Sequence, residues 1–186
     1  MNSIPTLLTY FRIVLIPVFV VIFFLPYSWV NEVTTIIFGV AAVTDWLDGY
    51  LARKLNQMSR FGAFLDPVAD KLIVGVALIL LVQDYPNPWM TITTAVIIGR
   101  EIAISALREW MAIIGERAQV AVSNVGKWKT TAQMVALFML LYQEPLFGVS
   151  VYMVGMIFLY VAVVLTLWSM VLYLKAAWPV LSKEED

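Results

Sequence analysis

The sequence predicts an all-α polytopic membrane protein: six transmembrane helices preceded by a short N-terminal juxtamembrane segment. Three observations predict it. Of the 186 residues, 62% are hydrophobic and 13% charged, whereas a soluble domain is about half apolar and a quarter charged. The mean hydropathy is +0.87. The apolar runs are long and continuous, as a helix crossing a bilayer requires, and they lack the short alternating pattern of barrel strands. The length holds about six such spans and no sizeable soluble domain. Residues 1–186 are therefore read as a single six-helix transmembrane domain.

Residues 1–10 make a mildly amphipathic start, with Ser3 and Pro5 as a helix entry. Span one runs from about Thr6 to Phe24 and stops at Pro26. It lacks a basic leader and an A-x-A-like cleavage site, so it is read as a retained span and not a signal peptide. Span two starts near Asn31 and runs to about Leu55, followed by the polar turn N-Q-M-S-R-F-G. Span three covers about Phe61 to Val82 and ends at Asp84; Pro86 and Pro88 mark the next loop. Span four runs from about Trp89 to Ile114, with Gly115 as its C-terminal stop. Span five runs from about Val125 to Tyr142 and is stopped by Pro145; span six runs from about Phe147 to Leu174.

The loop charges orient these spans. The connections at 25–32, 84–89 and 143–149 contain no Lys or Arg. Arg53, Lys54 and Arg60 follow span two, and Arg108, Arg117, Lys127 and Lys129 lie around the connection between spans four and five. Lys175 and Lys183 are in the tail. The positive-inside rule then puts both termini and the turn after span two on the cytoplasmic side.

Composition also excludes function classes. The net charge of -1 gives no reason to expect nucleic acid. There is no cysteine, so the redox compartment cannot be read. There is no histidine, so acid–base work falls to carboxylates, Lys or Tyr.

One stretch carries the chemistry: D-W-L-D-G-Y-L-A-R-K-L-N-Q-M-S-R-F-G-A-F-L-D-P-V-A-D, from Asp45 to Asp70. Asp45 and Asp48 are i,i+3 on span two, with Ala52 on the same face and Gly49 beside it. Asp66 and Asp70 are i,i+4 on span three. A short turn makes the two spans antiparallel neighbours, so the acid pairs can converge across one gap. Intramembrane carboxylates are costly and mark functional sites by default. Oxygen-only ligands suit Mg2+ or Mn2+, and four carboxylates can hold two ions. Gly49, Ala52 and Gly62 leave room for a ligand, and Arg53 offers a fork for phosphate. The plainer readings are helix packing for the small residues, a membrane-surface anchor for Arg53, and a helix N-cap for Asp66 before Pro67. None of these explains four acids together.

D-x-x-D-G-x-x-A-R, a short gap, then G-x-x-x-D-x-x-x-D resembles the signature of the CDP-alcohol phosphatidyltransferase family. Asp45, Asp48, Gly49, Ala52, Arg53, Gly62, Asp66 and Asp70 fill its eight positions. The six-span layout extends the resemblance over nearly the whole chain. That family moves a phosphoalcohol unit from a CDP-linked donor to an acceptor hydroxyl and releases CMP. The resemblance implies that Asp45, Asp48, Asp66 and Asp70 ligate metal and that Asp70 is the general base. It implies that Gly49, Ala52, Arg53 and Gly62 contact the cytidine nucleotide.

A second charged region lies in G-R-E-I-A-I-S-A-L-R-E-W and V-G-K-W-K-T-T. Arg100 and Arg108 are eight residues apart, hence on one helix face. Either Glu101 or Glu109 pairs with a neighbouring Arg, or the cations form a pocket for a phosphate. With I-P-T-L-L-T-Y-F-R at the N-terminus, these segments are similar to bacterial members of the family that use sn-glycerol 3-phosphate. The resemblance implies CDP-diacylglycerol as donor and sn-glycerol 3-phosphate as acceptor. It implies Thr9 and Arg12 near the nucleotide, and Arg108, Arg117, Lys127 and Lys129 as candidates for the acceptor phosphate. It also implies a homodimer among the lipids of a bacterial inner membrane. An inositol phosphate acceptor would need the same charges and stays open. A divalent-cation transporter using the four aspartates is the competing reading from another class, and a structural scaffold is the third.

Overall fold

A computed structural model describes residues 4–55, 60–115, 124–145 and 148–182. Among the described residues the chain is helical: α1 (Ile4–Phe23), α2 (Val30–Leu55), α3 (Arg60–Asp84), α4 (Pro88–Ile113), α5 (Asn124–Tyr142) and α6 (Val151–Leu181). Among the described residues, four stretches are long and apolar enough to cross a membrane: Pro5–Phe23, Val30–Ala52, Pro88–Ile113 and Val151–Val180. α3 and α5 fall outside that group. Asp66, Asp70, Lys71 and Asp84 break the apolar run of α3, and Lys127 and Lys129 open α5.

The helix ends follow the expected breakers, with two differences. The first ten residues do not form a segment of their own among the described residues; α1 begins at Ile4 and continues unbroken. Pro5 lies in its first turn, where a missing N–H costs nothing. α6 starts at Val151 and extends to Leu181, seven residues beyond the expected end. Gly148, at φ 78°, cannot begin a helix, and nothing between Leu174 and Pro179 stops one. Asn87 caps α4: its side chain accepts the Met90 N–H at 2.9 Å, and Pro88 follows at the first helical position. Gly115, at φ 85°, takes the left-handed conformation just after α4.

The chain groups into two compact units, residues 1–85 with 137–152, and residues 86–136 with 153–186. In the first, α1 packs along both α2 and α3, while α2 and α3 touch each other sparingly. Phe19, Phe38, Ala41, Ala77, Leu78, Leu81, Leu137 and Leu140 form its buried core. Gly39 lets α2 approach α5 closely; a Cβ there would lie 3.2 Å from the Phe138 ring. Where α3, α5 and α6 meet the loops, Asn31 donates to Gln143 at 3.1 Å, Gln143 donates to Asp84, and the rings of Tyr85 and Tyr152 lie 4.6 Å apart. In the second unit, Ile104 and Met111 of α4 pack against Tyr173 and Ala177 of α6.

Many large apolar side chains are exposed along the helices. Val14, Ile36, Val43, Ile79, Ile102, Ile113, Ile157 and Val164 are all exposed, as lipid-facing side chains are. Thr34, Thr35 and Thr44 donate their hydroxyls to the carbonyls of Val30, Asn31 and Val40, four residues back. Such bonds satisfy a polar group where no water is at hand.

Candidate active site

Three helices of the first unit bring the expected acids to one place. Thr9 and Arg12 lie one turn apart on α1, Asp45 and Asp48 on α2, and Asp66 and Asp70 on α3. The convergence is defined by Arg12. Its Nη1 donates to Asp45 at 2.8 Å and to Asp70. Its Nη2 donates to Asp48 at 2.5 Å and lies 3.5 Å from Asp66. Each outer nitrogen therefore meets one acid from α2 and one from α3. The Thr9 hydroxyl lies 3.1 Å from the Pro5 carbonyl and also bonds Asp66.

Burial divides these groups. The side chains of Arg12 and Asp48 are 2% and 3% exposed, while Asp45, Asp66 and Asp70 are 46%, 36% and 45% exposed. Asp48 and Arg12 thus form the floor, and the other three acids line an accessible rim. One guanidinium against four carboxylates leaves an excess of three negative charges when all are ionised. The site still lacks positive charge.

Two of the plainer readings can now be weighed. α3 begins at Arg60 and Pro67 lies inside it, so Asp66 is not a helix cap. Its side chain is free to serve the cluster. A Cβ on Gly49 would meet nothing within 4 Å, so helix packing does not require glycine there. Ala52 is half-buried and Gly62 buried on the same two helices. Arg53 belongs to α2 by its backbone, but its side chain lies outside the described residues.

The donor set suits a hard divalent cation: four carboxylates and a hydroxyl, with no nitrogen or sulfur ligand. Among the described residues no three acids are grouped closely enough to hold one metal ion; each of the four instead lies within 3.5 Å of the Arg12 guanidinium. Sequence reasoning placed Thr9 and Arg12 near a nucleotide; the structure places them in the acid cluster itself. That contact joins residues 33 to 58 positions apart, and no local spacing reveals it.

The second unit holds a different cluster. Arg100 is buried on α4; its Nη2 donates to the Ser169 hydroxyl at 2.8 Å and its Nη1 to Glu101 at 3.1 Å. Lys129 of α5, also buried, donates to Glu101. Arg108 donates to the Tyr173 hydroxyl at 2.5 Å. The Arg108 and Arg100 guanidinium carbons lie 4.9 Å and 5.5 Å from the centre of the Tyr173 ring. Glu101 thus pairs with Arg100 and Lys129, while Arg108 joins Arg100 at the Tyr173 ring. Of the residues expected at an acceptor phosphate, Arg108 and Lys129 belong to this cluster. The Lys127 side chain and all of Arg117 lie outside the described residues. Sequence reasoning missed Ser169 and Tyr173. Their i,i+4 spacing on an apolar helix was the available signal.

Comparison with known proteins agrees with the geometry. Residues 2–168 match the profile of the family described as CDP-alcohol phosphatidyltransferase. Curated relatives called CDP-diacylglycerol–glycerol-3-phosphate 3-phosphatidyltransferase come from Salmonella typhimurium, Shigella flexneri and Escherichia coli K12. Each is 57% identical over 175 residues, covering 94% of this chain and 94% of the relative. With its eight signature residues in place and a family match over most of its length, the chain belongs to the CDP-alcohol phosphatidyltransferase family.

Proposed function

We infer that this chain transfers the phosphatidyl group of CDP-diacylglycerol to a hydroxyl of sn-glycerol 3-phosphate, giving phosphatidylglycerophosphate and CMP. The observation that carries this reading is the 57% identity, over 94% of the chain, to curated enzymes named for that activity. The acid cluster supplies a physical basis for the donor half. Asp45, Asp48, Asp66 and Asp70 would hold divalent cations, magnesium or manganese and two in number. When bound, such ions offset negative charge on the diphosphate and on the departing CMP.

The chain's own residues do the rest. Gly49, Ala52, Arg53 and Gly62 leave space for the cytidine nucleotide and offer it a cation. Asp70, accessible at the rim, takes the proton of the acceptor hydroxyl as that oxygen bonds to the phosphorus bearing the diacylglycerol. The bond from that phosphorus to the CMP oxygen breaks, and CMP leaves with the electron pair. Arg108 and Lys129, with Arg117 and Lys127, hold the acceptor phosphate. All six helices lie in a bacterial inner membrane, with the acid cluster at its cytoplasmic face, and the working form is a homodimer.

The test is a competition of acceptors. Purified protein with labelled CDP-diacylglycerol is offered glycerol 3-phosphate, serine, inositol or inositol phosphate, and CMP release is followed. Release is expected with glycerol 3-phosphate and is lost in EDTA. Preference for inositol phosphate would overturn the acceptor, and full turnover in excess EDTA would overturn the cations.

A further inference from the structure

We propose that Arg12 is a built-in counter-cation: its guanidinium occupies the carboxylate site in the cation-free protein and gives way when divalent cations bind. The proposal rests on reading Asp45, Asp48, Asp66 and Asp70 as cation ligands. The guanidinium reaches all four acids, two through each outer nitrogen. A divalent cation and this guanidinium therefore compete for the same oxygens.

The charges say which competitor wins. One guanidinium leaves three negative charges uncompensated, whereas each divalent ion brings twice its charge. The guanidinium is also imperfectly placed. Its side chain is 2% exposed, yet its Nε–H has no hydrogen-bond partner. A buried donor without a partner raises the energy of this arrangement, which favours displacement. Thr9 offers a tether during the exchange: one turn away on α1, its hydroxyl bonds Asp66 on α3.

Displacement also has a use. A freed guanidinium beside the acids presents a planar fork of donors, the shape that recognises phosphate in two-point fashion. Cations would then bind first, and the donor diphosphate would meet the arginine they released. Arg12 acts here as a positioning and gating residue.

The test measures Mn2+ binding directly, by electron paramagnetic resonance on the full chain in detergent. Arg12→Gln removes the competitor and is expected to bind Mn2+ roughly tenfold more tightly, the scale of one charged contact. Arg12→Lys, which keeps a charge, is expected to stay near the wild-type affinity. Arg12→Gln should also melt at a lower temperature than wild type in EDTA, with the gap closing at saturating Mn2+. Affinity in Arg12→Gln that is unchanged within about twofold, or weaker, would overturn the proposal. Absence of Mn2+ binding in wild type and both variants would instead overturn the cation reading beneath it. Should Arg12→Gln not fold, arginine-15N spectra of the wild type answer the same question. Mg2+ is expected to shift the Arg12 Nε–H signal, identified by its loss in Arg12→Lys, and an unmoved signal refutes displacement.

Discussion

Asp70→Asn separates chemistry from folding more cleanly than any other change in the acid cluster. Asparagine has the shape of aspartate and keeps an oxygen that can accept from Arg12. Two effects on stability oppose each other. The contact with Arg12 weakens, and repulsion from Asp45, Asp48 and Asp66 is relieved. The Asp70 side chain is 45% exposed, so both effects are screened. Their difference should lie within about 1 kcal/mol, the range of exposed ion pairs. For a chain of this size that moves the melting temperature by no more than about 4 °C. The loss of a positioned general base is far larger: about 100- to 10,000-fold in turnover, or roughly 3–5 kcal/mol in the barrier. The assay is CMP release from labelled CDP-diacylglycerol at saturating glycerol 3-phosphate, with the donor KM and a fluorescence melt on the same preparation. The expected result is a collapsed kcat, a donor KM within a few-fold of wild type and an intact melt. Turnover near the wild-type value would refute the assignment of the base. A large fall in melting temperature would refute the claim that the loss is chemical.

Three other outcomes are expected. Gly49→Ala should leave the melt unchanged or raise it, since no atom opposes a Cβ and alanine favours the helix by about 0.5–1 kcal/mol. Gly49→Leu should raise the donor KM while the protein still folds, and a wild-type KM would show that the open space is not used by the donor. Tyr173→Phe keeps the ring under Arg100 and Arg108 but removes the hydroxyl that Arg108 bonds. A rise of about tenfold in the glycerol 3-phosphate KM, the worth of one charged hydrogen bond, is expected from initial-rate measurements, and an unchanged KM would remove Arg108 from the acceptor site. A reporter fused after Asp186 should be active only if it is one that works in the cytoplasm, and the reverse would invert the orientation read from the loop charges.

The helices were legible because their ends are written in residue chemistry. Pro26, Asn87-Pro88, Gly115 and Pro145 each stop or start a helix for a local reason, and the observed ends fall close to them. The face shared by Asp45 and Asp48, and that shared by Asp66 and Asp70, followed from helical spacing alone. The end of α6 was not legible, since Lys175 reads as a flank but is equally at home in a helix. The centre of the acid cluster was hidden for a different reason. Arg12 reaches its partners across separate helices, and periodicity within one helix carries no information about which neighbour fills the gap. Likewise Ser169 and Tyr173 look like ordinary members of an apolar span until Arg100 and Arg108 are placed beside them.

Arg12 also bears on how the chain is made. Arg12 is the one charged residue of α1, and until it is paired it is a costly charge in an otherwise apolar helix. Its earliest partners, Asp45 and Asp48, arrive 33 and 36 residues later in synthesis. The α1–α2 hairpin is thus the smallest piece of the protein in which that arginine is paired. The two helices have reason to associate before the rest of the chain has emerged, leaving α3 to bring Asp66 and Asp70 to a half-built site.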